Sequence, residues 1–274
     1  MSGARESITV KQIEELNKLL QKEKATDKQK ARIKTLQDKR DSKQIDTIGS
    51  GAKEMLISMY CKHKYGKRMQ ILTEQICNNV ASAKGVITES NSVDMLSRLD
   101  NKQYYRHKKR IKNDYLVGVV DAIDAECIED ATKVIEIKTP LELPTFLGYL
   151  TTPISNVSYL QLQGYMAITG LKEAELAYCL ADLPDALILK QKSLYRSKFI
   201  DVYSEEKFEE FWDKAVQNFR YDNIPINERV IRKKVLRDDA VIDKIYQRVE
   251  SCRAWLLNFH KNHSEIAKSG IFAT

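Results

Sequence analysis

The stretch that decides the fold is KVIEIKT, at residues 133–139. β-Branched residues dominate it and Pro140 follows, so the pattern predicts a short strand that ends there. Side chains alternate between the two faces of a strand, which places Glu136 and Lys138 on one face and Ile137 on the other. A carboxylate and an ammonium on an otherwise apolar strand are costly to bury unless they are paired or used. The pattern marks both as candidate functional residues; the alternative is a surface ion pair on an edge strand.

A second strand is predicted just upstream, at residues 115–124, because YLVGVVDAID is apolar and rich in β-branched residues. It contains two carboxylates, Asp121 and Asp124. They are three positions apart and therefore face opposite sides of a strand, so only one of them can join the charged pair of the first strand. We expect this to be Asp121, because Gly118 lets a backbone or ligand approach closely.

Two carboxylates and one main-chain carbonyl form an oxygen-rich site, which suits Mg²⁺ or Mn²⁺. Asp121 and Glu136 would supply the carboxylates. Such an ion lowers the pKa of a bound water and polarises a phosphoryl oxygen, which is the chemistry of phosphodiester cleavage. A neighbouring lysine, Lys138, can hold or deprotonate that water and offset negative charge on the phosphate.

Apolar periodicity predicts further elements on both sides of this pair of strands. The predicted helices cover residues 52–63, 69–81, 88–99, 158–169, 208–220 and 240–260. We expect Lys84-Gly85 to break the chain before the third of these helices, residues 140–156 to form a loop, and 174–182 to form a third strand. A basic stretch is expected to join the last two helices. This order of helices and strands indicates an α/β domain around a short mixed sheet.

The first 45 residues are polar and helix-periodic, with Leu16 and Leu20 on one apolar stripe. Thr26-Asp27 interrupts the pattern and is suited to cap a second helix that carries Ile33 and Leu36. We therefore expect a helical hairpin that serves as a solvated appendage or docking arm.

Composition excludes several classes of protein. The chain has 274 residues, a net charge of +7 and 43% hydrophobic residues, which are enough to build a sizeable core. It contains no run of 18 apolar residues, so no membrane span is expected. Its five cysteines are an odd number and form no C-x-x-C pair, which argues against a disulfide framework, a zinc site or an iron–sulfur cluster and favours the cytoplasm. The basic charge is compatible with an anionic partner but does not establish one.

Four segments resemble, in the right order, motifs of the PD-(D/E)XK nuclease superfamily, and within it of the phage lambda exonuclease / YqaJ-like viral recombinase group. They are GVVD at 118–121, IEIKT at 135–139, YLQLQGYMAITG at 159–170 and LAYCLADLP at 176–184. The third segment matches the pattern Q-x-Q-x-x-M-x-x-T-G of that group. The resemblance covers about residues 48–184, and it departs from the group's pattern at Val120, where proline is common.

The resemblance implies a restriction-endonuclease-like core, in which a short mixed sheet is flanked by helices. It implies that residues 1–46 form the helical hairpin appendage and that 47–274 form the nuclease domain. The core of that domain would lie at about 85–184, with a helical C-terminal part at 205–262.

The resemblance also assigns roles to matching positions. Asp121 and Glu136 would bind the metal, with Mg²⁺ or Mn²⁺ as two ions per site, and the main-chain carbonyl of Ile137 would complete the ligand set. Lys138 would position or activate the attacking water. Gln163, the second glutamine of its motif, would orient both. Gln161 lies about 200° around the helix from Gln163, so it is not expected to share that role.

A further carboxylate is expected on a helix ahead of the core, in a G-x-x-x-E pattern. Gly85 to Glu89 matches that pattern, so Glu89 would act in catalysis and bind the metal. Glu54, which follows Gly51, is the rival candidate.

A basic segment precedes the Asp121 strand. Arg106, Lys108, Lys109 and Arg110 belong to a run that also contains aromatic residues. We expect these four residues to bind DNA phosphates, with a solvated charged face as the alternative. In a second basic cluster, around residues 229–237, the solvated face is the favoured interpretation.

The function implied by the resemblance is a metal-dependent DNA nuclease, most specifically a phage-type exonuclease that digests linear duplex DNA for recombination. A restriction- or repair-type endonuclease and a non-catalytic DNA-binding relative remain alternatives. The resemblance also implies DNA ends as the substrate, a trimeric assembly, a single-strand annealing protein as partner, and a place in the host cytoplasm if the chain is phage-encoded.

Overall fold

The computed structural model describes residues 15–16, 18–21, 26–41, 48–66, 79–200 and 204–269. By its contacts the chain divides into two compact units. One consists of Met1–Arg68 and Gln247–Thr274, and the other of Met69–Tyr246.

The described residues form eight α-helices, seven short strands and two 3₁₀ turns, and residues 15–16 and 18–20 are also helical. The helices are α1 (Asp27–Asp41), α2 (Ser50–Tyr65), α3 (Val80–Asp100), α4 (Leu143–Thr151), α5 (Asn156–Thr169), α6 (Asp185–Phe199), α7 (Glu205–Ala215) and α8 (Asp239–Ser269). The strands are β1 (Tyr105–Arg106), β2 (Ile111–Lys112), β3 (Val117–Gly118), β4 (Ala122–Ile123), β5 (Lys133–Lys138), β6 (Glu173–Cys179) and β7 (Val230–Leu236). The 3₁₀ turns cover Val216–Phe219 and Ile226–Glu228.

A five-stranded mixed sheet forms the centre of the second unit, in the order β1-β4-β5-β6-β7. β5 and β6 run parallel, and the other neighbouring strands run antiparallel. The two-stranded ribbon β2–β3 stands apart from this sheet. The expected fold class, α/β with a short mixed sheet flanked by helices, is confirmed.

The sheet separates two apolar layers. On one face Val134 of β5 and Leu176 of β6 pack with Leu162 and Met166 of α5. On the other face Ile135 and Ile137 belong to a cluster that includes residues of α3. Both faces of β5 and β6 are buried, which explains why all their residues other than the lysines and glutamates are apolar.

The ends of α5 follow from its sequence. The Ser155 hydroxyl accepts a hydrogen bond from the Ser158 amide, and Gly170 ends the helix with a φ of 78°. The left-handed conformation costs glycine little, so Gly170 serves as the C-cap of α5.

Several predicted elements are wrong in their bounds or type. Residues 115–124 form β3 and β4, which lie in different sheets, and not a single strand. α3 runs without interruption through Lys84-Gly85, where Gly85 packs against the loop after β5, so the expected break is absent. Tertiary packing there outweighs the cost of about 1 kcal/mol that glycine adds to a helix.

The C-terminal third is not wholly helical. The basic stretch between the last two predicted helices is β7, which pairs with β6 along its whole length. Residues 143–151 of the predicted loop form α4, and α6 was not predicted. The predicted helix 69–81 lies largely outside the described residues, and its end at 80–81 belongs to α3.

The first unit contains the expected helical hairpin. Leu16 and Leu36 are buried in one apolar cluster. Arg32 donates hydrogen bonds to both carboxylate oxygens of Glu15, at 3.0 and 2.9 Å. The Thr26 hydroxyl accepts from the Gln29 amide at 3.4 Å and so acts as the expected cap. Within the ranges given above, none of the helices combines the length and the apolar character needed to cross a membrane.

Candidate active site

The central strand β5 presents the charged pair at its C-terminal end. Glu136 is 3% exposed, and its Oε1 is ion-paired with the Lys138 ammonium. Both side chains lie on the same face of the strand, as the alternation predicts. Glu136 lies on the same face of the strand as Val134, so a buried carboxylate paired with Lys138 lies at the end of the strand.

Asp121 lies beside this pair, immediately before β4. Its Oδ2 accepts a hydrogen bond from the main-chain N–H of Ile137 at 2.8 Å. Burial and the neighbouring negative charges of Glu136 and Glu89 together raise the pKa of Asp121 to about 7, against the effect of the Ile137 N–H. The carboxylates are thus close enough to repel one another.

One oxygen of this group has no partner. Glu136 Oε2 is buried and makes no hydrogen bond to any described residue. A bare carboxylate oxygen in an apolar layer is unfavourable, and such an atom is normally satisfied by a bound ion, water or ligand.

These side chains line a cleft of about 730 Å³. Its walls are formed by α3, the end of β5 with the loop after it, α4 and the start of α5. Asp121, Glu136, Ile137, Lys138 and Glu89 all line it. The structure therefore brings these five expected site residues together in one open cleft.

Glu89 reaches the cleft from α3. Its Oε1 accepts from Arg106 Nε at 3.0 Å and from Arg106 Nη2 at 2.7 Å. Glu54, the rival candidate, lies exposed on α2 in the first compact unit, whereas the cleft is formed by residues of the second. The spacing Gly85 to Glu89 thus indicated the helix carboxylate that lines the cleft.

The carboxylates in the cleft do not form a complete metal-binding site. Within the described ranges no three His, Cys, Asp or Glu side chains are arranged to hold an ion. Two of these carboxylates form ion pairs instead, Glu136 with Lys138 and Glu89 with Arg106.

Asp124 points away from the cleft, as the face argument predicted. It accepts from the Thr132 amide and hydroxyl at 2.8 and 2.6 Å, from the Lys133 amide at 3.1 Å and from Lys102 Nζ at 2.9 Å. Burial acts to raise the pKa of Asp124, but these bonds from Thr132, Lys102 and Lys133 outweigh it and hold the pKa well below its usual range. Asp124 therefore fixes the loop between β4 and β5.

Gln163 does not reach the site, which corrects the role expected for it. It is 0% exposed; its Nε2 donates to the Leu236 carbonyl and its Oε1 accepts from the Asp238 amide, both at 2.8 Å. Both amide atoms are therefore committed to the end of β7. Gln163 holds α5 to that strand.

The opposite face of α5 carries two residues that the sequence reasoning missed. Gln161 Nε2 donates to the Tyr165 hydroxyl at 2.9 Å. Burial raises the pKa of Tyr165, and the charges of Glu136 and Asp121 add to the rise. The hydroxyl therefore stays protonated beside the carboxylates. The four-residue step from Gln161 to Tyr165 was a usable signal, since it places both on one helix face.

The room for Tyr165 is made by Gly118. A Cβ at Gly118 would lie 3.1 Å from Cε1 of Tyr165 and 3.1 Å from Cδ1 of Ile168. The close approach expected at Gly118 is therefore made by α5, and it sets the position of the Tyr165 ring.

The two basic segments differ in the exposure of their side chains and in the ion pairs that these form. Lys108, Lys109 and Arg110 are exposed between β1 and β2, whereas Arg106 is held by Glu89. In the cluster on β7, Arg232 pairs with Asp100 at 2.6 Å. The β7 charges are thus engaged in ion pairs within the sheet and do not form the solvated face expected for that cluster.

Comparison with known proteins gives a fold. No protein-family model matches the chain, and no curated protein matches it. A phage-related exonuclease from Haemophilus somnus 129PT is similar in structure, with a TM-score of 0.58 and 16% identity over 90% of this chain and 93% of that one.

An alkaline exonuclease from Laribacter hongkongensis is also similar, with a TM-score of 0.54 and 15% identity over 82% of this chain and 89% of that one. A structure of the Laribacter enzyme in complex with dAMP matches with a TM-score of 0.53 and 16% identity over the same shares of 82% and 89%. At these identities the likeness shows the fold, and the fold implied by the sequence resemblance is confirmed.

Proposed function

We propose that this chain, which has the fold of the phage-related and alkaline exonucleases, is a divalent-metal-dependent deoxyribonuclease that digests linear duplex DNA from its ends. The observation that carries the proposal is the convergence of Asp121, Glu136 and Lys138 in one cleft, where Glu136 Oε2 is buried without a partner. The similarity to exonucleases, one of them in complex with dAMP, supports a nucleotide substrate.

The donor set fits Mg²⁺ or Mn²⁺. Asp121 and Glu136 would hold the ions through carboxylate oxygens, together with the main-chain carbonyl of Ile137, and Glu89 would join them once Arg106 releases it. Burial raises the Asp121 pKa in the metal-free protein and repulsion from Glu136 and Glu89 adds to the rise, so a cation would relieve a cost already present. When bound, the metal lowers the pKa of water and polarises the phosphate.

The protein's own groups supply the rest of the chemistry. Lys138, 41% exposed and held by Glu136, is placed to hold the attacking water and to donate to a phosphate oxygen. Tyr165, supported by Gln161, offers a hydroxyl beside the same carboxylates.

The proposed interaction with DNA rests on charge. Lys108, Lys109 and Arg110 are exposed and would follow the phosphate backbone, and Arg106 would do so from the edge of the cleft. We extend the proposal to recombination as the process served, to a single-strand annealing protein as partner and to a trimeric assembly.

Digestion of end-labelled linear DNA and closed circular DNA, with Mg²⁺ or with chelator, tests the function. We expect degradation of the linear DNA alone, only with metal, and none with Asp121→Ala. Fragments from closed circles would favour a restriction- or repair-type endonuclease. Tight binding without cleavage would favour a non-catalytic DNA-binding relative.

A further inference from the structure

A fully buried lysine lies under the cleft. Lys84 of α3 is 0% exposed. Its Nζ donates to the main-chain carbonyl of Pro140 at 2.7 Å and lies 3.4 Å from that of Leu141. The ammonium also lies 5.4 Å from the centre of the Tyr221 ring. Both hydrogen bonds that the described residues offer this cation are thus made by main-chain oxygens.

Stability alone does not explain this lysine. Burial lowers the pKa of Lys84 to about 8, against the charge of Asp182, so holding it charged has a cost. Buried ion pairs replaced by apolar groups of the same volume often leave stability unchanged or improved, so a buried charge is weak evidence of a stabilising role. An explanation has to come from what Lys84 holds in place.

Lys84 holds the turn that directly follows the charged end of β5. Pro140 comes two residues after Lys138, and Glu89 lies five residues after Lys84 on the same helix. α3 lies close to this turn, since a Cβ at Gly85 would lie in ordinary contact with Thr139 Oγ1, at 3.5 Å. Lys84 therefore ties the helix that carries one carboxylate to the strand that carries the other.

Tyr221 holds the same turn from the other side. Its hydroxyl lies 3.1 Å from the Leu141 carbonyl oxygen and 2.8 Å from that of Asn218. Burial raises the pKa of Tyr221 to about 12, so the hydroxyl remains a donor across the working range of pH. The turn at residues 139–141 is thus held by a buried ammonium and a buried hydroxyl.

We propose that Lys84 and Tyr221 are positioning residues, which hold the Pro140 and Leu141 carbonyls and so fix Glu136 and Lys138 relative to Glu89. The inference rests on the proposed nuclease function for its catalytic consequence. Displacements of about 1 Å at a reacting centre can cost about 10²-fold in rate, so a loosened turn is sufficient to matter.

The test compares Lys84→Met with Arg98→Met. Both variants remove one positive charge from α3, but Arg98 is exposed. For Lys84→Met we expect kcat to fall about 10- to 100-fold, unchanged DNA affinity in chelator, a lower melting temperature because the Pro140 carbonyl loses its donor, and faster amide hydrogen exchange at residues 139 and 141–142. Arg98→Met should match the parent in kcat and exchange. A merely structural lysine would also lower the melting temperature but leave kcat at saturating DNA unchanged.

Parent-level kcat and exchange in a folded Lys84→Met protein would overturn the proposal. If that variant does not fold, Tyr221→Phe decides, because it removes only the hydroxyl. A smaller fall in kcat with faster exchange at residues 141–142 supports the proposal, and parent-level values overturn it. Should the parent protein show no metal-dependent cleavage, the proposed function fails, while the exchange rates still test the contact.

Discussion

Replacing Asp121 by Asn should stabilise the metal-free protein at alkaline pH. The pKa of Asp121 is raised from 3.8 to about 7 by burial and by Glu136, so above pH 7 the fold holds an ionised carboxylate that the unfolded chain tolerates better. At about 1.4 kcal/mol per pH unit, this corresponds to about 4 kcal/mol. Asn keeps an oxygen that accepts the Ile137 N–H but carries no charge.

The sign of the pH dependence follows from proton binding. Between pH 3.8 and about 7 the folded protein holds a proton on Asp121 that the unfolded chain has released, so stability in chelator falls as pH rises through this window. Urea unfolding in chelator should therefore show Asp121→Asn as more stable than the parent at pH 8.5, with a much smaller difference at pH 5.

Asp124→Asn serves as the matched control. Hydrogen bonds hold the pKa of Asp124 low although burial opposes them, so its charge stabilises the fold above the ordinary pKa and this variant should lose stability at both pH values. Adding Mg²⁺ should stabilise the parent and not Asp121→Asn, because only the parent keeps the ligand. An Asp121→Asn protein less stable than the parent at pH 8.5 in chelator would refute the reasoning.

Three further outcomes are expected. Gln163→Ala should lower the free energy of unfolding in urea by about 1–3 kcal/mol, since it leaves two backbone groups unpaired. Gln161→Ala should instead lower kcat with little change in stability. The reverse pattern would show that Gln163, and not Gln161, acts in the site. Gly118→Ala should cost about 1–3 kcal/mol and lower kcat, because its Cβ meets the Tyr165 ring, and parent-like values would show that the ring can yield. Replacing all three basic residues at 108–110 by Ala should reduce the salt slope of log K for DNA by about 0.9 per contact, and an unchanged slope would make this segment a solvated loop.

The strands that matter most could be predicted because their signals are local. β5 is rich in β-branched residues and ends before Pro140, β6 is largely apolar, and alternation alone placed Glu136 and Lys138 on one face. Residues 115–124 carry the same composition but divide between two sheets. That division depends on pairing partners, β1 and β5 for one half and β2 for the other, which a single sequence does not display.

The strand β7 could not be predicted, because its basic residues obscure the sequence pattern of a strand. Arg232 is matched by Asp100 and Glu175, and Lys234 by Glu173. These partners are distant in sequence, so the segment has the composition of a solvated basic stretch. Its alternating burial becomes intelligible only once β6 is beside it.

The choice between the two glutamines shows a similar limit. Helical rotation correctly placed Gln161 and Gln163 on different faces, but the direction of each face depends on the docking of α5 against β7. The buried bonds of Gln163 to Leu236 and Asp238 settle it. Tyr165, four residues after Gln161, would have supported the right choice.

The most direct test of the account is a crystal structure with Mn²⁺, measured for anomalous scattering at the manganese edge. We expect an anomalous peak in the cleft, bound by Asp121 and by Glu136 through Oε2, and its loss in Asp121→Ala crystals. Manganese bound elsewhere, with Glu136 Oε2 still lacking a partner, would contradict the account.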